Sequence, residues 1–221
     1  MRQRRIKDID IKLSEVKHLM IPESETLQGK WRELFIDDFS NTGKQSANLY
    51  VELGCGRGRF INCIAEKNPS DLFVAVEGSD SVIYKALLQT FESEIKNIRY
   101  LNQYVKEADG IFAENEISGL FLNFSDPWPK IRHEKRRLTA PEKIERYKKI
   151  LAPDGFIALK TDNTIFFEYS LEKMKECKLD IVELTHDLHS SEFVEKNVLS
   201  EYERKFINLG QKIMYLKAVV V

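Results

Sequence analysis

The chain has 221 residues, of which 43% are hydrophobic and 31% charged, with a formal net charge of −1. This fits one soluble domain with a substantial core, and no stretch has the apolar run of a signal peptide or membrane helix; a cytoplasmic protein without a membrane partner is expected. Three cysteines with no C-x-x-C pair (Cys55, Cys63, Cys177) are expected to be reduced buried thiols, and the near-neutral total hides two basic clusters, Arg2/Arg4/Arg5/Lys7 and residues 130–137.

In chain order, residues 1–47 read as an N-terminal arm with a short helix near Trp31–Phe35, ahead of a main unit over 48–221. Asn48–Leu53 is a short apolar strand ending in glycines, and Phe60–Lys67 a helix stopped by Asn68-Pro69. Leu72–Glu77 has a buried-strand pattern, Ser79 is placed to cap a helix to about Ile95, and Ile98–Leu101 and Gly119–Phe124 are strands. Thr139-x-x-Glu142 predicts a capping box opening a helix to about Leu151, and Pro153-Asp154-Gly155 a turn into a strand over Phe156–Lys160. A helix over Thr164–Cys177 and strands over Asp180–Leu184 and Ile213–Val221 complete the chain; the segment 185–211 shows no clear crossover helix, so the last strand is expected to run antiparallel. Alternating strands and helices predict an α/β fold with a mostly parallel sheet covered on both faces.

In such sheets, ligands sit beyond the carboxyl ends of the strands near the topological switch point. Gly54, Gly56 and Gly58 occupy that place after the first strand, in a G-x-G-x-G pattern that is weak alone. Glu52 before the loop and Glu77 at the end of the second strand sharpen it: Glu77 is placed for a ribose diol, while Glu52 would repel a pyrophosphate but not an ammonium or sulfonium. The charge pattern favours S-adenosylmethionine over NAD.

Ser125-Asp126-Pro127-Trp128-Pro129-Lys130 follows the fourth strand at the same sheet edge. The prolines stiffen the loop around Asp126. Trp128 either stacks on a base or packs the loop, packing being the simpler expectation. Arg132, Lys135, Arg136 and Arg137 are suited to phosphates, and His133 sits among them. A carboxylate beside a cationic stretch suits a site that holds a base next to its phosphates. His186-x-x-His189 lacks partners at ligand spacing, so no metal is expected.

With these residues in view, the chain resembles the bacterial tRNA (guanine-N7-)-methyltransferases over nearly its whole length. The most specific match is Phe124–Lys130 with Arg132-His133-x-Lys135-Arg136-Arg137; the Arg2/Arg4 arm, Gly29-Lys30-Trp31, the glycine loop, Lys160-Thr161-Asp162 and Glu201-Tyr202-Glu203-x-Lys205-Phe206 support it. The resemblance implies a Rossmann-like class I methyltransferase fold, with a seven-stranded sheet and methyl transfer from S-adenosylmethionine to N7 of guanine 46 in the tRNA variable loop. By the same resemblance Glu52 and Glu77 hold the cofactor, Asp126 serves both cofactor and active site, and Lys130, Asp162, the Arg132–Arg137 segment and Ser200–Glu203 (Ser200, Glu201, Tyr202, Glu203) meet the RNA. Tyr104 stands where the family usually has the aspartate that reads the adenine; it is expected to stack or hydrogen-bond, or Asn102 to take over. Ser200 replaces a threonine and keeps the hydroxyl. A monomer and a homodimer are both compatible with the sequence. The rivals are an NAD-dependent oxidoreductase, a non-catalytic RNA-binding module, and a methyltransferase acting on small molecules or proteins.

Overall fold

The computed structural model describes residues 6–21, 27–35, 47–104 and 110–220. The expected basic positions Arg2, Arg4 and Arg5 lie outside them.

The seven strands are β1 (Leu49–Leu53), β2 (Leu72–Val76), β3 (Ile98–Leu101), β4 (Ile117–Asn123), β5 (Leu151–Thr161), β6 (Asp180–Thr185) and β7 (Met214–Val219). They form one sheet in the order β3-β2-β1-β4-β5-β7-β6. β1 to β5 pair in parallel, and β7 lies antiparallel to both β5 and β6, as the missing crossover helix had suggested.

Helices α2 (Arg59–Lys67) and α3 (Asp80–Glu92) cover one face, and α4 (Pro141–Ile150) and α5 (Thr164–Glu176) the other. The sequence of β2, LFVAV, shows why: all five residues are buried. Leu72, Val74 and Val76 belong to the core cluster that also holds Trp31, Phe35, Ile144 and Phe167, while Phe73 and Ala75 belong to the one with Ile61, Ile83 and Leu87. An uninterrupted apolar run suits a strand with helices on both sides.

The expected helix at Trp31–Phe35 is a 3-10 turn whose Trp31 and Phe35 are buried in the main core. Trp31 Nε1 donates to Ile111 O at 2.9 Å, and Glu116 accepts from the backbone of Gly29, Trp31 and Ala113. A short helix α1 (Ile9–Glu15), not anticipated from the sequence, precedes a segment whose Ile21 N donates to Tyr100 O beside β3.

Two local expectations fail for identifiable reasons. Thr139 does not cap α4: Pro141 occupies the first helical position, Ala140 precedes it, and the Thr139 hydroxyl is buried against Ser170 Oγ at 2.7 Å. Proline is preorganised for that position and lacks the N–H that a cap would satisfy. Pro153-Asp154-Gly155 lies inside β5 as a bulge, with Asp154 at φ 61 and the pairing with β4 slipping between Ile117 and Gly119.

A helix α6 (Glu201–Asn208) was also not foreseen. Its sequence EYERKFIN is too polar to announce a core-facing helix. Among the described residues no helix is long and apolar enough to cross a membrane.

Candidate active site

Strand order reverses between β1 and β4, so the loops after these two strands diverge and leave a cleft at the carboxyl edge. The cleft has a volume of about 500 Å³, within the usual range for a small-molecule site.

One wall is the glycine loop. Gly54, Gly56 and Gly58 all have positive φ, at 78, 58 and 80°. The amides of Gly54 and Cys55 donate to Val76 O at 2.8 and 3.0 Å, folding the loop back onto the end of β2. Gly58 has a packing role as well: a Cβ there would lie 2.6 Å from Ala86 Cβ, so only glycine lets the loop sit on α3. Glu77 accepts from Gly56 N at 3.2 Å and Ser79 N at 3.0 Å, which ties the loop to the second strand.

Glu52 is the most perturbed acid of the cleft. It is 2% exposed, accepts from Asn123 Nδ2 at 2.8 Å, and has a second oxygen, Oε2, that is buried without a partner. Burial pushes its carboxyl up to about 7, against the pull of the Asn123 hydrogen bond and the Lys160 charge. Burial likewise raises Glu77. Two further buried polar atoms of the cleft lack partners, Arg59 Nε and Ser125 Oγ. Buried polar groups are almost always satisfied, so three orphans in one cleft mark a place that expects a ligand.

The opposite wall is the loop after β4. Phe124 and Trp128 adopt positive φ (51 and 40°), a conformation costly for non-glycine residues. Arg137 holds the loop there: its Nε donates to Pro127 O at 3.0 Å and its Nη2 to Trp128 O at 3.2 Å, and its guanidinium lies 4.1 Å from the Tyr169 ring centroid. Arg136 covers the Trp128 ring at 4.9 Å and His133 meets its edge, which ties Trp128 into the loop while it also lines the cleft. Asp126 is exposed at the mouth of the cleft.

The third side comes from α6. Ser200 Oγ accepts from Glu203 N and the Glu203 carboxylate accepts from Ser200 N, a complete capping box. Glu203 is fully buried and also receives Asn197 and Lys160 Nζ, the latter at 3.2 Å. Tyr202 and Phe206 stack on Phe124, and Arg57 of the glycine loop pairs with Glu201 at 2.7 Å, joining the helix to the first wall.

The expected site residues thus divide. Glu52, Gly54, Gly56, Glu77, Tyr104, Asp126, Arg136, Ser200, Glu201 and Tyr202 line the cleft. Tyr104 is 73% exposed, its ring lying where a Cβ on Gly78 would stand. Asn102 instead donates to Asp80 Oδ1 at 2.6 Å. Lys130, Arg132 and Lys135 are exposed on or beside a 3-10 turn over Ile131–Arg136, with Lys135 3.3 Å from Glu142. Asp162 follows β5 on the same sheet edge, outside the cleft lining.

Two of the expected residues are held inside the fold. Arg137 is 7% exposed and its guanidinium is engaged by backbone carbonyls, which braces the loop. Glu203 is occupied inside the fold by Ser200, Asn197 and Lys160 and does not face the cleft. The two histidines part company: His186 Nε2 lies 2.9 Å from Glu168, and His189 Nε2 3.1 Å from Glu203 without hydrogen-bond geometry. Asn123 and Lys143 were not singled out from the sequence, and Ser125 and Arg59 only as members of their loops without a role; the assembled sheet edge and α4 gather such residues in space.

Comparison with known proteins agrees with this architecture. A family described as "Putative methyltransferase" matches residues 46–216. A tRNA (guanine-N(7)-)-methyltransferase of Geobacillus kaustophilus is 42% identical over 94% of this chain and 92% of its own. That of Clostridium acetobutylicum is 41% identical over 92% of each chain. Among solved structures, the 16S rRNA methyltransferase KamB superposes with a TM-score of 0.60 at 14% identity, over 83% of this chain and 93% of that one. A SAM-dependent methyltransferase from Aquifex aeolicus gives 0.55 at 13% identity, over 94% and 98%. The two solved structures share the fold, and the relatives match the sequence over more than nine-tenths of the chain: the chain belongs to the tRNA (guanine-N(7)-)-methyltransferase family.

Proposed function

We propose that this chain transfers a methyl group from S-adenosylmethionine to N7 of a guanine in the variable loop of tRNA, with the cofactor in the cleft and the guanine entering past Asp126. The observation that carries the reading is the pairing, at one switch point, of a buried acid with a free oxygen (Glu52) and an exposed acid on an arginine-braced loop (Asp126). The cofactor fits the residues present: Glu52 Oε2 offers an acceptor for an ammonium, and Glu77 at the end of β2 lines the cleft where a ribose diol would lie. NAD fits worse, because its pyrophosphate would meet the Glu52 carboxylate.

S-adenosylmethionine supplies a methyl on a sulfonium, ready for in-line displacement. The chain itself needs no general base, since the N7 lone pair of guanine is already free. Its task is to position and to stabilise charge; holding the reactants in line is worth roughly 7–11 kcal/mol when the geometry is right. Asp126 is assigned to the purine, either opposing the positive charge that N7 methylation places on the ring or accepting from the N1/N2 edge. Lys130, Arg132, Lys135 and His133 stand outside the cleft, where the nucleotides flanking the target would lie; they are assigned to phosphates.

The test is methyl transfer from labelled S-adenosylmethionine to unmodified tRNA, against the same tRNA with its variable-loop guanine changed to adenine. Label is expected in the first and not in the second. Label in both, or in neither with cofactor bound, overturns the assigned target.

A further inference from the structure

The glycine-loop wall contains a cation that the pairing of Glu52 and Asp126 does not use. Four basic side chains line the cleft: Arg57, Arg59, Arg136 and Lys143. Three are engaged. Arg57 pairs with Glu201 at 2.7 Å, Arg136 lies over Trp128, and Lys143 Nζ donates to Arg136 O at 3.2 Å. Arg59 has no hydrogen bond, ion pair or ring contact among the described residues, and its Nε is buried.

Its place in the fold makes this more pointed. Arg59 is the first residue of α2, with no acid in the first turn and no side-chain cap from Gly58. The positive end of the helix dipole and its free amides disfavour a cation there and favour an anion. A guanidinium set beside those amides has no reason to be stable until an anion arrives to share both. Glu52, the acid just before the same loop, is not that anion. Its free Oε2 has no partner, and the charges that act on it are those of Lys160 and Glu77. The loop therefore offers an unpaired acceptor and an unpaired donor to one ligand, the complement of a zwitterion.

We propose that Arg59 binds the α-carboxylate of the methionine end of S-adenosylmethionine, while Glu52 takes the α-ammonium. This rests on the cofactor reading above and deepens it. Arg59 is a recognition residue for the amino-acid end and takes no part in methyl transfer. It explains why the loop can tolerate an arginine at a helix start, and it predicts that the chain discriminates among sulfonium nucleosides by their carboxylate.

The experiment is a binding cycle by isothermal titration calorimetry on the full chain. It uses S-adenosylmethionine and its decarboxylated analogue, which keeps the adenosine, sulfonium and ammonium. The variants are Arg59→Met and, in case that one folds poorly by circular dichroism, Arg59→Gln. The unaltered chain is expected to prefer the carboxylated ligand by about tenfold or more, as for a charge-assisted pair. In the variants that preference is expected to collapse, with affinity for the decarboxylated ligand changed less than about twofold. Equal weakening of both ligands, or an unchanged preference, overturns the Arg59 assignment while leaving the cofactor reading in place. Failure of the unaltered chain to bind either ligand overturns both.

Discussion

The two walls of the cleft hold their shapes by different means. The glycine-loop wall is made of backbone: three residues at positive φ, amides tied to Val76 O and Glu77, and a Gly58 pressed against α3. Its central acid, Glu52, is buried. The wall after β4 is made of side chains: two non-glycine residues in the left-handed region, Phe124 under Tyr202 and Phe206 and Trp128 held by the Arg137 guanidinium, with a band of exposed cations beyond. A small ligand that must be enclosed suits the first, and a polyanion that must be met in water suits the second. The contrast also separates two uses of one residue type. Arg137 and Arg132 lie five positions apart in one basic run, yet the first is a brace and the second an exposed charge.

The comparison is most directly broken at its two extremes. Asp126→Asn removes the one acid that the second wall brings to the cleft mouth. Single-turnover methyl transfer is expected to fall by about 100-fold, the scale for losing one preorganised electrostatic group, with tRNA affinity changed much less. A fall of less than about threefold would remove Asp126 from the chemistry. On the other wall, Gly58→Ala forces a Cβ to within 2.6 Å of Ala86 at φ 80°, so strain and overpacking add. A loss of about 2–4 kcal/mol in urea unfolding is expected. Gly56→Ala meets nothing within 4 Å and is expected to cost about 1–2 kcal/mol from backbone strain alone. Equal losses at the two positions would show that packing on α3 is not what demands Gly58.

Glu52 sharpens the comparison through pH. Its carboxyl is pushed up to about 7 from the ordinary value of 4.5, chiefly by burial. The native state therefore holds that proton more tightly than the unfolded chain does. The stability this gives is present below about pH 4.5 and is lost as pH rises toward 7. Glu52→Gln keeps an acceptor for Asn123 Nδ2 and removes the titration. Without ligand, the variant is expected to be more stable than the unaltered chain at pH 8 by about 1–3 kcal/mol, with the difference vanishing near pH 4. Cofactor affinity should move the other way, because an ammonium needs the ionised acid: binding tightens as pH rises to about 7, with proton uptake by buffer detectable in calorimetry. A Glu52→Gln variant that binds cofactor normally would contradict the pairing.

Most of the fold was legible because its strands carry the signature of two-sided burial. LFVAV in β2 and the antiparallel placement of β7 followed from apolar runs and a missing crossover. What stayed hidden was polar. The helix α6 buries little beyond Glu203, and Ser200-x-x-Glu203 is its capping box, whereas Thr139-x-x-Glu142 looked like a cap and is not one because Pro141 starts the helix. In the site, the glycines and their two acids were readable because backbone turns demand particular residues. Asn123 and Lys143 were not, since their hydrogen bonds to Glu52 and Arg136 exist only after β1, β4 and α4 are assembled. Charge alone could not sort Arg137 from Arg132, because burial decides that and a basic run does not reveal it.

That sorting gives the smallest effect and the cleanest distinction. Arg132→Ala removes an exposed charge assigned to phosphate, so tRNA affinity should drop modestly at low salt. The slope of log affinity against log salt should flatten by about 0.7–0.9, one phosphate contact. Arg137→Lys keeps the formal charge but cannot reach both Pro127 O and Trp128 O with a planar fork. Its salt slope is expected to be unchanged. Turnover should fall and thermal stability should drop by about 1–3 kcal/mol, the scale for leaving buried hydrogen-bonding groups unmet. If Arg137→Lys instead flattened the slope as Arg132→Ala does, with turnover and stability intact, the buried arginine would have to swing out to meet RNA and the braced loop would be only one of its states. If both variants left the slope alone, the exposed band at 130–136 would not be the phosphate-binding surface, and the cations to examine next would be Arg2, Arg4 and Arg5 at the start of the chain.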